Sequence, residues 1–98
     1  TNPPVFLPSR SDRLQIQVAN KELSLSRVTV SLMRLGGGQR TEIFDAFESG
    51  DPIRLEISMA PYRAILSPGV WLLETRLRSR GADEGASRIQ RQMLLVAR

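Results

Sequence analysis

Residues 53–59 read Ile-Arg-Leu-Glu-Ile-Ser-Met, an unbroken alternation of apolar and polar side chains. Successive side chains of a β-strand point to opposite faces, so this alternation predicts a strand with one buried and one exposed face. Turn-forming residues lie on both sides of the segment: 50–52 (Gly-Asp-Pro) precede it and 60–61 (Ala-Pro) follow it. The stretch is the clearest indication that this chain folds as a β protein.

The same period of two recurs on both sides of this segment. The other segments predicted to be strands are 14–18, 28–33, 41–47, 62–66, 70–80 and 88–97. In 70–80, the longest of them, Trp71 begins an apolar face that is expected to be buried in the core. In 88–97, Ile89, Met93 and Leu95 share one face. A helix is the alternative over 86–95, but 70–80 and the polar loop 81–87 offer an antiparallel strand partner.

Seven short strands separated by turn signals predict an all-β, immunoglobulin-like antiparallel β-sandwich. The Cys…Trp…Cys signature of true immunoglobulins is missing, since the chain has no cysteine. Residues 1–12, with three prolines, are predicted to be a Pro-rich lead-in with a short edge segment at 5–7, and 13–98 are predicted to be a single sandwich domain.

Composition excludes several classes of chemistry. The chain has 98 residues, a formal net charge of +4, and neither His nor Cys. These absences rule out disulfides, thiolate catalysis, a Ser-His-Asp triad and zinc sites built from Cys or His. The chain is therefore expected not to be an enzyme and to hold no cofactor. An enzyme would have to depend on Asp and Glu pairs, which is the alternative.

The N-terminus and the hydropathy of the chain bear on its location. No apolar run approaches the ~20 residues that cross a bilayer, and 1–12 have no signal-peptide pattern. Because the sequence does not begin with Met, we expect it to be an excised or processed part of a longer protein, with any anchor outside the sequence.

One acidic cluster is a candidate cation site. Asp45, Glu48 and Asp51 follow one another at intervals of three residues, and calcium sites need several oxygen ligands from one loop. The alternative is a solvated turn in which Asp51 bonds the local backbone before Pro52.

Arginines form the main candidate interaction surface. Of the 14 basic residues 13 are Arg, and residues two apart on a strand share a face. The candidate residues are Arg76, Arg78 and Arg80 on one predicted strand, with Arg88 and Arg91 on its neighbour. Such a stripe would attract phosphates. The alternative is an ordinary water-facing sheet surface, since sheets that bind nucleic acid usually expose aromatic residues and most of the few aromatics here are expected in the core.

Two further features point to simple structural roles. Gly36, Gly37 and Gly38 lead into another predicted strand, which favours a flexible hairpin over a phosphate-binding loop. Met33, Met59 and Met93 have the soft sulfur that copper prefers, but they lie in or beside apolar strands, where Met usually fills gaps.

Residues 61–74 read P-Y-R-A-I-L-S-P-G-V-W-L-L-E, with the pattern Y-R-A-x-L-x-P-G-x-W-x-L-E. Over roughly residues 25–97 the chain resembles the extracytoplasmic sandwich of FixH-like and YtkA-like proteins, in which a G-x-W turn begins the final hairpin. This resemblance implies a membrane-associated periplasmic accessory protein, linked in the FixH-like case with cation supply to a haem–copper oxidase. The chain departs from that picture, because it shows no anchor and no His or Cys to hold a metal.

Two functions therefore compete. The first is a non-catalytic protein-binding or assembly module, the soluble domain of a larger bacterial envelope protein, acting through a sheet face, an edge strand or the arginines. The alternative is a module that binds nucleic acid or another polyanion through an Arg-rich sheet face.

Overall fold

The computed structural model describes residues 5–6, 12–20, 25–79 and 87–97, and within these ranges the chain is all-β. Its strands are β1 (Val5–Phe6), β2 (Arg13–Val18), β3 (Ser26–Arg34), β4 (Thr41–Glu48), β5 (Ile53–Ser58), β6 (Gly69–Ser79) and β7 (Ser87–Val96). A 3-10 turn over Ala60–Tyr62 lies between β5 and β6. The predicted hairpin loop 81–87 lies outside the described residues except for Ser87.

Two sheets pack together, so the predicted β-sandwich is confirmed. The larger sheet has the order β1-β7-β6-β3-β4, and the smaller one pairs β2 with β5. All pairings are antiparallel except that of β1 with β7. The neighbours β7-β6-β3-β4 and β2-β5 correspond to the G-F-C-C′ and B-E strands of immunoglobulin domains. The edge segment predicted in the lead-in is present as β1.

Alternating apolar side chains build the core between the sheets. In β5, where the sequence alternates most regularly, every second residue is buried, and β2 repeats the pattern. On the larger sheet, Val28, Val30 and Leu32 of β3 and Leu73 of β6 have no exposed surface. Full burial of such a side chain contributes about 1.5–3 kcal/mol. The core thus forms where the two-stranded sheet covers the inner face of the larger one.

The prediction of a strand over 62–66 is wrong. This segment carries the chain from β5 in the smaller sheet to β6 in the larger one, and it pairs with none of the described strands. Pro61 fixes its own φ and lacks an N–H, which favours a turn. The N–H of Tyr62 donates to Met59 O, and that of Leu66 donates to Tyr62 O, both bonds within the turn. Leu66 is nevertheless buried, so the apolar residues of the segment serve the core without a strand.

The turn ends in a corner that explains the G-x-W pattern. Trp71, near the start of β6, is 5% exposed, and its indole N–H donates to Ser67 O at 3.0 Å. Gly69 has a φ of +147°, which residues with a Cβ rarely adopt. The guanidinium of Arg34 lies over Gly69 and donates to Ser67 Oγ and to Pro68 O. These contacts bind the corner to the end of β3.

Residues 88–97 are predicted to be a strand, and Ser87–Val96 form β7. Ile89, Met93 and Leu95 share one face, as predicted, but that face points away from the smaller sheet, and Met93 is 51% exposed. The core instead receives Leu94 and Val96, which lie opposite Trp71 and Gly69 of β6.

Candidate functional site

Among the described residues, no element covers the outward side of the larger sheet, called here the outer face. It is formed by every second residue of β3, β4, β6 and β7, and the strand register places these residues in cross-strand rows. Residues directly opposite one another on antiparallel strands point to the same face, so each row is a set of neighbouring side chains.

One half of the outer face is apolar. In one row, Met33, Leu72 and Met93 lie side by side on β3, β6 and β7. In the next, Val70 and Leu95 are opposite one another, and Leu35 donates its N–H to Val70 O at 2.9 Å. Leu35 and Met93 are about half exposed, at 49% and 51%. The other four side chains are partly buried: Met33, Val70, Leu72 and Leu95. Two consecutive apolar rows on a solvent-facing sheet are unusual, because the residues that point outward from such a sheet are normally polar. We call these six residues the apolar half.

The other half is charged, with Glu74 of β6 at its boundary. The Glu74 side chain is only 7% exposed, and its two oxygens receive three guanidinium groups. Arg91 of β7 lies at 3.1 Å, Arg40 at 3.4 Å and Arg76 at 3.7 Å. Three cations around one carboxylate leave a surplus of positive charge in this part of the sheet.

Beyond Glu74 the outer face is basic. Arg27 of β3 forms two hydrogen bonds with Asp45 of β4, at 2.9 and 2.7 Å. Arg78 lies opposite Arg27 on β6, and within the described part of the chain no carboxylate is within ion-pair distance of it. A shallow depression of about 430 Å³ opens here, lined by Arg27, Thr29, Arg76, Arg78 and Ser87. We call it the arginine depression.

The structure brings together three of the five arginines that the sequence singled out. Arg76, Arg78 and Arg91 point outward from the larger sheet. Arg88 does not belong to this surface, because it lies opposite Leu77, whose side chain faces the core. Arg88 and Arg91 are three residues apart on one strand, so they point to opposite sides. Arg80 lies outside the described residues.

The acidic cluster does not converge. Asp45 points to the outer face and is occupied by Arg27, whereas Asp51 accepts a hydrogen bond from the N–H of Asn20 at 2.9 Å in the turn before β5. Glu48 lies opposite Ser26, a fully buried residue, and so shares the inward side of the sheet. Among the described residues, no group of three acidic side chains is arranged to hold a metal ion.

The methionines and glycines also separate. Met59 is fully buried, and Met33 and Met93 lie on the outer face on either side of Leu72, two strand spacings or about 10 Å apart. The three sulfurs therefore do not form one ligand set. The glycines 36–38 connect β3 directly to β4, so the strand–turn–helix arrangement of a phosphate loop is not formed.

Sequence reasoning missed Arg27 and Arg40 as members of the site. Arg27 is on β3 and Arg40 precedes β4, and they lie 49 and 36 positions before Arg76. Only the pairing of β3 with β6 brings Arg27 next to Arg78. The one available signal was the polar position of Arg27 in the alternation before Val28.

No family model, no curated protein and no solved structure matches the chain. The FixH-like or YtkA-like family therefore stays a prediction. Among the described residues there is no helix with the length and apolar character that crossing a membrane requires.

The pairing of Arg27 with Asp45 predicts a measurable titration. The hydrogen bonds from Arg27 hold the pKa of the Asp45 carboxyl below its usual value. A depressed pKa contributes stability at pH above the unfolded-state value of about 3.9, and that contribution is lost as the pH falls through the folded-state pKa. In the Arg27→Gln variant we expect the Asp45 pKa to rise towards its usual value, measured by carbon NMR of the side-chain carboxyl. An unchanged titration curve would show that Arg27 does not set this pKa.

Proposed function

We propose that this domain is a non-catalytic protein-binding module and that the outer face of the larger sheet is its binding surface. The observation that carries the proposal is the apolar half, in which two successive rows on three strands point away from the core. Solvent-exposed sheet faces with contiguous apolar side chains mark interaction sites in soluble proteins.

The composition of the outer face also suits a protein partner. Protein interfaces combine an apolar centre with a polar rim and are enriched in Met and Arg. The apolar half contains Met33 and Met93, and its border with the charged half contains Arg91 and Arg76 around Glu74. Methionine side chains adapt their shape to the surface that they contact, which favours a binding role over tight packing within one chain.

The non-catalytic part of the proposal is supported by chemistry. The chain has no His, the most frequent general base at neutral pH, and no Cys, an intrinsically strong nucleophile. Of the carboxylates on the outer face, Asp45 and Glu74 are each held by arginines. We further propose that the domain belongs to a larger bacterial envelope protein and works outside the cytoplasm. The support for this location is the resemblance of residues 61–74 to extracytoplasmic sandwiches.

A site-specific crosslinking experiment tests the function. A photo-crosslinking amino acid is placed at Met93 in the full-length protein in its own host, and the crosslinked protein is identified by mass spectrometry. We expect one identifiable partner from Met93, because this side chain is half exposed and lies in the apolar half beside Leu72. The additional substitution Leu72→Glu is expected to abolish this crosslink, since it places a charge between Met33 and Met93.

The matched control carries the same photo-crosslinking amino acid at Gln15, an exposed position on the outward side of the smaller sheet. The proposal predicts that Gln15 does not capture the Met93 partner. Equal capture from both positions, or no capture from Met93, would contradict the outer face as the binding surface. A partner that resides in the cytoplasm would contradict the proposed location while leaving the binding function in place.

A further inference from the structure

We infer that the partner is acidic, and that the arginine depression receives carboxylate groups from an acidic protein segment whose apolar side chains cover the apolar half. This inference rests on the proposed function and adds the chemistry of the partner. The depression and the apolar half are parts of one continuous sheet face, because β3 and β6 contribute to both.

The geometry of the depression suits an oxygen anion. Arg27 and Arg78 are opposite one another on β3 and β6, and Thr29 and Arg76 are opposite one another in the next outward row. Ser87 closes the third side from β7. Guanidinium groups offer paired N–H donors that match the two oxygens of a carboxylate, which gives these contacts both strength and direction.

The charge on the outer face gives the sign of the ligand. In the described part of this face, five arginines accompany three carboxylates. The arginines are Arg27, Arg40, Arg76, Arg78 and Arg91, and the carboxylates are Glu42, Asp45 and Glu74. Asp45 is already bound by Arg27, and Glu74 is shared by three guanidinium groups. The surplus positive charge is concentrated at Arg78 and Arg76, and it would repel a partner whose surface is also positively charged. Charge complementarity therefore favours an acidic partner.

The same surface fits an acidic protein better than a nucleic acid. Sheets that bind single-stranded nucleic acid stack several bases on exposed aromatic side chains. Among the described residues of the outer face, Phe47 is the one exposed aromatic, and it lies at the margin on β4 beside Arg27. Trp71 is buried, and Phe44 and Tyr62 pack against the core. The apolar half offers aliphatic and Met side chains, which a protein segment covers and a nucleic acid does not.

Binding of defined probes to the purified chain tests the inference. The first probe is a synthetic peptide with a block of Leu and Phe next to a run of Glu, and the second is the same peptide with Gln in place of every Glu. The third is oligothymidylate. We expect the acidic peptide to bind with a dissociation constant below about 1 mM and roughly tenfold or more tightly than the Gln peptide. We also expect its affinity to fall between about 50 and 200 mM salt.

Two variants with opposite expected effects make the test specific. The double variant Arg76→Gln/Arg78→Gln is expected to weaken the acidic peptide by roughly tenfold or more, because it removes two guanidinium groups of the depression. Asp45→Asn is expected to strengthen it a few-fold, since Arg27 is then released from its partner. The matched control is Arg54→Gln/Arg63→Gln, which removes the same charge from exposed positions on β5 and in the turn before β6 and is expected to change the affinity less than twofold.

Each outcome decides the inference. Equal binding of the Glu and Gln peptides, no binding of either, or equal losses in the two double variants would overturn it. Tighter binding of oligothymidylate than of the acidic peptide would replace it with a nucleic-acid function. If the acidic peptide fails while the Met93 crosslink persists and depends on Leu72, the protein-binding function stands and only the acidic partner is excluded. If the acidic peptide binds as expected but the photo-crosslinking amino acid at Met93 captures no partner, the proposed function is overturned instead.

Discussion

Replacing Trp71 with alanine is expected to destabilise the domain by about 3–5 kcal/mol. The indole is 5% exposed and lies in the core at the start of β6, so its removal leaves a cavity. The substitution also removes the N–H donor to Ser67 O, the bond that holds the turn against the strand. For a domain of this size each kcal/mol lowers the melting temperature by about 4–8 °C. Urea unfolding followed by circular dichroism measures the loss directly.

Two further variants separate the causes at Trp71. Trp71→Phe keeps most of the apolar volume but loses the hydrogen bond, so a smaller loss of about 1–2 kcal/mol is expected. Phe47→Ala removes another aromatic side chain, but this one is 55% exposed on the outer face. Its effect on the free energy of unfolding is expected to stay within about 0.5 kcal/mol. Equal losses for Trp71→Ala and Phe47→Ala would show that the corner does not support the core.

The second large effect is expected at Asn20, which joins the end of β2 to the turn before β5. Its side-chain amide donates to Gly50 O at 2.9 Å, its backbone N–H donates to Asp51 Oδ1 at 2.9 Å, and the residue is 2% exposed. Asn20→Ala leaves the Gly50 carbonyl without this donor. Because a partly buried polar group then loses its partner, we expect a loss of about 1–3 kcal/mol in the free energy of unfolding.

A double-mutant cycle tests whether these bonds act together. Asp51→Ala removes the acceptor of the Asn20 backbone N–H, and the two single losses are expected to add to more than the loss in the double variant, since both changes open the same turn. Gln17→Ala, at an exposed position of β2, is the control and is expected to be nearly neutral. An Asn20→Ala protein as stable as the parent would mean that water replaces the amide at no cost.

The strands were largely predictable because their burial follows a simple period. β2, β3, β5 and β6 appear in the sequence as alternating residues, and the structure buries the apolar set of each. The same rule failed over 62–66, where Tyr62 and Leu66 are apolar and spaced like strand residues. There the apolar side chains reach the core from a turn, which alternation cannot distinguish from a short strand.

Strand β4 shows a second limit of alternation. Ile43 and Phe44 are adjacent in sequence, and both contact the core. A register shift between Val30 and Ser31 of the partner strand leaves an extra residue on β4, which is how a β-bulge places two neighbours on one side. The bulge depends on the partner strand, so no property of 41–47 alone predicts it.

The sequence by itself determined the fold class, most of the strands and the absence of whole classes of chemistry. Apolar periodicity and turn residues act locally, and the absence of His and Cys holds in any conformation. Only the tertiary structure decided which side of β7 faces water, because both alternating sets of its side chains include apolar residues. Met93 and Leu95 would have served the core as well as Leu94 and Val96, but Leu94 is opposite Trp71, whose face the smaller sheet covers. Register thereby turned Met93 outward and brought Arg27 beside Arg78, since cross-strand neighbours depend on pairing and not on distance along the chain.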